Sequence, residues 1–222
     1  MKVINYRSLM PFVDANQITI EKTPNYFSSM AAAKRIHDFN PKIKLIVMIR
    51  DPIIRSISHF AHDLKYRWNQ ELVKTLIKFN STSTLFDALV LDEIGDLKIP
   101  THYYINYSLY VENFKIWLQY FDKEQFLFVD GESFSSNPYK ELKKVEKFLN
   151  LKPFIEQNHF IFNSHKGFYC LNQNISVKCM DENKGRKHPF IHPSTIEKLR
   201  KFYEPYSLEL FKILNLEPFW RI

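Results

Sequence analysis

The run KLIVMIRDP, residues 44–52, limits the possible folds more than any other part of the chain. A continuous apolar run this short predicts a strand buried on both faces, as in a parallel sheet. Asp51 and Pro52 then supply a helix N-cap and a proline at the first helical position, so a helix begins within two residues of the strand's end. That helix is expected to run to about residue 68. A strand that turns so quickly into a helix is the unit from which α/β folds are built.

The rest of the chain repeats the alternation. Residues 17–22 (QITIEK) alternate polar and β-branched side chains and predict a short strand, and residues 125–131 predict a third. Segments of about 29–38 and 108–121 carry helical patterns. Asn137-Pro138 opens another helix with the same cap chemistry as Asp51-Pro52. Ser194 and Glu197 have capping-box spacing ahead of a last helix, which Pro205 should interrupt. Strands alternating with helices predict an α/β fold: a largely parallel sheet flanked by helices in three layers. With 222 residues, 45% of them hydrophobic and only four glycine, the chain is expected to pack as a single domain over 1–222.

Candidate chemistry gathers where strands end. Arg50 stands at the C-terminal end of a buried strand, the side on which open α/β sheets bind ligands. The next helix is expected to aim its free N–H groups at the same crevice. Ser58, eight residues on, lies about two turns along that helix and shares the ligand-facing side. An arginine and a hydroxyl so arranged suit a phosphate; the same pair also suits a structural arginine and a surface serine. Lys22 ends the first predicted strand just before Pro24 turns the chain. It is placed to neutralise charge on a transferred group, or is simply an exposed strand-end lysine.

Residues 167–189 hold the chain's only two cysteines, Cys170 and Cys179, followed by the basic run Lys184-Gly185-Arg186-Lys187-His188. Their spacing suits a disulfide-closed hairpin, which would add about 2–3 kcal/mol in the chain-entropy picture. Two buried free thiols are the alternative. Two cysteines at this spacing are not a zinc signature, and no metal is expected. Gly185 would let the backbone approach an anion closely. The net charge of +7 asks for an acidic partner: nucleic acid, an acidic membrane surface, a sulfated polysaccharide or a nucleotide. No nucleic-acid-binding signature accompanies it. No run reaches the roughly 18 apolar residues of a membrane span. Three N-glycosylation sequons, at Asn80, Asn106 and Asn174, bear on the chain only in the secretory pathway.

Taken together, EKTPNYF (21–27), IRDPIIRSISHF (49–60), VDGE (129–132), VEKFLNL (145–151), KGFYCL (166–171) and KGRKHP (184–189) resemble the sulfotransferase domain of the heparan sulfate glucosamine 3-O-sulfotransferases. The resemblance covers nearly the whole chain, in family order. It implies a P-loop-like α/β fold and 3′-phosphoadenosine 5′-phosphosulfate (PAPS) as sulfuryl donor, leaving 3′-phosphoadenosine 5′-phosphate (PAP). By the same resemblance, Arg50 and Ser58 hold the donor's 3′-phosphate. Tyr169 and the run Lys184, Gly185, Arg186, Lys187 and His188 make later donor contacts. Cys170 and Cys179 correspond to a family disulfide. Lys22 lies at the reaction centre, and Thr23, Pro24, Asn25 and Asn106 line the acceptor cleft. Heparan sulfate is the implied partner and the Golgi lumen the implied location.

The sequence also departs from that pattern. The family's glycine-rich phosphosulfate loop and its catalytic glutamate precede the stretch INYRSLMP (4–11), and no such loop occurs in the 222 residues. The domain is therefore expected to be N-terminally incomplete, with a sheet short of one strand. A relative that binds PAP or heparan sulfate without catalysis is the alternative reading.

Overall fold

The computed structural model describes residues 10–14, 17–68, 70, 73–74, 82–98, 102–173, 176–180 and 187–222. At its centre, strand β1 (Leu45–Ile49) pairs in parallel with β2 (Phe126–Asp130). Leu45 stands opposite Phe126 and Ile49 opposite Asp130, so both strands end at the same edge. Residues Arg50 and Gly131 follow there side by side.

Alternation along the strands decides what each face meets. Leu45, Val47, Ile49, Phe126 and Phe128 turn towards a core with Ala33, Val111, Phe114, Trp117 and Leu210. That core is supplied by helices α1 (Met30–Phe39) and, further along the chain, the helix Tyr110–Trp117 and the C-terminal helix. The opposite face of β1 leaves Ile46 and Met48 exposed at 41% and 56%. Burial on both faces, expected from the apolar run, holds for β2, where Val129 is 1% exposed, and not for β1.

Helix α2 (Pro52–Tyr66) starts as its sequence dictates: the Asp51 carboxylate accepts from the Ile53 and Ile54 N–H groups at 2.7 and 3.3 Å. Its Ile53, Ile57, Phe60 and Leu64 fall on one stripe and enter a second core with Phe86, Val90, Tyr104, Ile105, Leu199 and Tyr203. Each such side chain contributes about 1.5–3 kcal/mol when fully buried. Helices α3 (Thr82–Val90) and α4 (Tyr103–Asn106) complete that side, and α5 (Tyr110–Trp117) leads to β2. After β2 come α6 (Gly131–Ser136) and α7 (Pro138–Leu149), the latter capped by Asn137, whose side chain accepts from Lys140 N–H at 3.2 Å.

An antiparallel sheet follows: β3 (Phe160–Asn163), β4 (Phe168–Asn172) and β5 (Val177–Lys178). Gly167, at φ 72°, closes the β3–β4 turn in a conformation that favours glycine. Cys170 and Cys179 form a disulfide, with Cα atoms 4.4 Å apart. Helix α8 (Pro193–Leu214) then crosses both cores.

Three local expectations are corrected. Residues 17–22 form no strand; they run as irregular chain, with Ile18 and Ile20 exposed at 46% and 69%. β-branched alternation specifies a strand only where a neighbour supplies a ladder, and none lies beside them among the described residues. Helix α8 is capped not by Ser194 but by His192, because Pro193 takes the first helical position; the His192 side chain accepts from Ser194 N–H at 3.3 Å. Pro205 does not interrupt α8, which continues for 22 residues. Buried Leu199, Tyr203, Leu210 and Phe211 on both sides of the proline offset its lost hydrogen bond.

Candidate active site

The site begins at the shared end of β1 and β2. The Tyr110 hydroxyl donates to the Arg50 carbonyl at 3.1 Å and fixes the backbone there. The Arg50 side chain meets Glu132, whose Oε1 lies 2.7 Å from Nε and 2.6 Å from Nη2. Glu132 is delivered by α6, whose first turn is capped when the Asp130 carboxylate accepts from Glu132 N–H at 2.9 Å. Gly131 permits this approach, since a Cβ there would lie 3.1 Å from the Ile49 carbonyl oxygen and 3.5 Å from the Arg50 Cβ. His188, exposed at the surface, feels this pair: partial loss of solvent and the Arg50 charge hold its imidazole below the ordinary value of 6.5, while Glu132 acts in the opposite direction.

The helix N-terminus beside Arg50 is less open than its position suggests. Asp51 already occupies the Ile53 and Ile54 N–H groups, so the expectation that these donors stay free for a ligand is corrected. Ser58 is half-buried on α2, and its hydroxyl has no hydrogen-bond partner among the described residues. Tyr169 lies on β4, which packs against α6, with its ring edge-on to Phe162 at a centroid distance of 5.3 Å. Lys187 is exposed. Lys184, Gly185 and Arg186 lie outside the described residues.

Lys22, Thr23, Pro24 and Asn25 form an exposed segment, not a strand end. The Thr23 hydroxyl donates to Glu21 Oε1 at 2.6 Å. What holds this segment is Phe27 just beyond it: Trp117 Nε1 donates to the Phe27 carbonyl at 2.9 Å, and the Phe27 ring packs on Trp117 and Phe128. Asn106 is the exposed last residue of α4. Among the candidates, His188 lies within range of the Arg50 charge, and Tyr169 stands on the strand packed against the same short helix that carries Glu132.

Two features escape sequence reasoning. One is Glu132, 82 positions from Arg50. The other is a polar network along α2. The Ser56 hydroxyl, fully buried, lies within 3.2 Å of the Pro52 and Tyr104 carbonyls, Ser108 Oγ and the Tyr203 hydroxyl. Arg55 Nη1 donates to the Tyr104 carbonyl at 3.0 Å, and its guanidinium lies 5.4 Å from the Tyr107 ring centroid. Burial and Arg55 push His59 down to about 4. Burial pushes the Asp63 carboxyl up, but hydrogen bonds, first from the Tyr103 hydroxyl at 2.5 Å, outweigh it and hold the group below its ordinary value. The signal was the spacing 55, 56, 59, 63, a helical stripe of polar residues opposite partners that lie far away in sequence.

Residues 2–214 match the sulfotransferase domain family. Heparan sulfate glucosamine 3-O-sulfotransferase 5 from Homo sapiens is 39% identical over 217 residues, which are 97% of this chain and 60% of that protein. Heparan sulfate glucosamine 3-O-sulfotransferase 3B1 from Homo sapiens is 36% identical over 218 residues, 97% of this chain and 53% of that protein. The chain thus spans between about half and 60% of the length of these relatives. A solved sulfotransferase from Alicyclobacillus acidocaldarius shares the fold with a TM-score of 0.51 at 18% identity, over 87% of this chain and 63% of that one. The solved structure agrees in fold, and by the match over residues 2–214 the chain belongs to the sulfotransferase family.

Proposed function

We propose that this chain carries the donor and acceptor contacts of a heparan sulfate glucosamine 3-O-sulfotransferase, moving a sulfuryl group from PAPS to the glucosamine 3-hydroxyl. The observation that carries this reading is the similarity to such enzymes over 97% of the chain. The site chemistry agrees with it. Arg50 Nη1 has no partner among the described residues, and a guanidinium end is matched to a phosphate. Ser58, on the helix that follows, adds a hydroxyl without a hydrogen-bond partner among the described residues.

Bound here, the donor supplies an activated sulfuryl group on a phosphate leaving group. Arg50 and Ser58 hold its 3′-phosphate, and Tyr169 with residues Lys184 to His188 hold the rest of the nucleotide. Lys22, exposed and without an ion pair among the described residues, neutralises negative charge that builds on the transferred group. As the sugar oxygen bonds to sulfur, the bond from sulfur to the donor's phosphate oxygen breaks, PAP leaves, and the hydroxyl proton passes to a general base. Thr23, Pro24, Asn25 and Asn106 orient the saccharide. The net charge of +7 suits a polyanionic acceptor. The Cys170–Cys179 disulfide suits an oxidising compartment such as the Golgi lumen. No helix among the described residues is long and apolar enough to cross a membrane.

Transfer of labelled sulfate from PAPS to heparan sulfate tests the reading. Transfer that disappears in Lys22→Ala supports it. Absence of transfer from folded protein that still binds PAP would leave a binding protein in its place.

A further inference from the structure

The Arg50–Glu132 pair has a geometry that the family reading does not explain. A carboxylate beside a phosphate-binding arginine would ordinarily compete for it. Here a single oxygen, Glu132 Oε1, bridges Nε and Nη2, the lateral edge of the guanidinium. The Nη1 end has no partner among the described residues, and the side chains are 35% and 43% exposed. An approaching anion therefore meets the end of the guanidinium and not its occupied edge.

The rest of the local structure has the form of a mount for that edge. Tyr110 fixes the Arg50 backbone, leaving only side-chain torsions open. Asp130 caps the turn that carries Glu132, and Gly131 removes the Cβ that would hold α6 away from β1. A free arginine loses considerable rotamer freedom when it engages a ligand, and a prior lateral contact removes part of that cost.

We propose that Glu132 is a positioning residue, which turns the Arg50 guanidinium so that its Nη1 end meets the 3′-phosphate of the donor nucleotide. This rests on the reading of Arg50 given above. Glu132 touches no reacting atom; it acts through Arg50.

The test compares two probes, PAP and adenosine 5′-phosphate, which differ in the 3′-phosphate, by calorimetric titration of the whole chain. The unaltered protein is expected to prefer PAP, and Arg50→Ala to erase the preference. Glu132→Ala is expected to weaken PAP binding about tenfold and leave adenosine 5′-phosphate unchanged, with Glu132→Gln, which keeps an acceptor for Nε, falling between. Melting curves of each variant register any loss of folding. Tighter PAP binding by Glu132→Ala would make the carboxylate a competitor and overturn the proposal. Equal weakening of both probes would make Glu132 a structural part of α6 and overturn it too. A preference that Arg50→Ala erases but Glu132→Ala leaves intact sinks the positioning role alone. No preference in the unaltered chain sinks the reading of Arg50, and the role of Glu132 with it.

Discussion

The hydroxyl of Ser56 lies 2.9 Å from that of Tyr203, across 147 positions of sequence, with both side chains buried. This contact ties α2, the helix that carries Ser58, to α8. Tyr203 also donates to the Ile105 carbonyl at 3.1 Å, so neither partner depends on the other alone. Ser56→Ala and Tyr203→Phe should each lower stability by about 1–2 kcal/mol in urea unfolding. The double variant should lose less than the sum, since the two share one interaction. Strict additivity would show that the hydroxyls act independently.

Acid should destabilise the protein in two separate steps. His59 has its folded value pushed down to about 4 by burial and the Arg55 charge, so the fold favours the neutral ring. The stability this represents is complete above about pH 6.5 and is lost as pH falls towards 4. Glu146 is held down at about 2 by Lys143 and by the Ile155 and Phe154 N–H groups, so its contribution is complete above about 4.5 and disappears towards 2. Urea midpoints measured against pH should flatten in the upper window for His59→Phe and in the lower one for Glu146→Gln. An unchanged slope in either variant would remove that group from the account.

Reduction should loosen the β4–β5 hairpin. The Cys170–Cys179 bond closes a loop with a sequence separation of 9, and loss of a link that short costs about 2–3 kcal/mol. Thermal melts with and without reductant, with Cys170→Ser/Cys179→Ser as reference, measure it. A melting temperature indifferent to reductant would mean the hairpin is held by packing alone.

Trp117 links the core to the Lys22 segment through its 2.9 Å bond to the Phe27 carbonyl. Trp117→Phe keeps the ring and removes the donor. It should cost about 1–2 kcal/mol of stability and, under the proposed function, raise the KM for heparan sulfate more than that for PAPS. Equal changes in both would show that the effect spreads through the whole fold.

Sequence alone determined the parts set by neighbours in the chain. Asp51-Pro52 and Asn137-Pro138 start helices where their cap chemistry requires, and the two strands of the parallel pair lie where the apolar runs are. The aim of Arg50 towards the sheet edge followed from the same local pattern, as did the candidate pairing of Cys170 with Cys179. Tertiary structure decided what distant partners supply. Residues 17–22 have strand-like alternation and no ladder to join. Pro205 is carried within a helix by the cores on either side of it. Glu132 reaches Arg50, and Tyr203 reaches Ser56, only because the chain folds back over 82 and 147 positions. Local rules act through a few bonds, whereas burial, ladder pairing and charge contact depend on which segments meet in space.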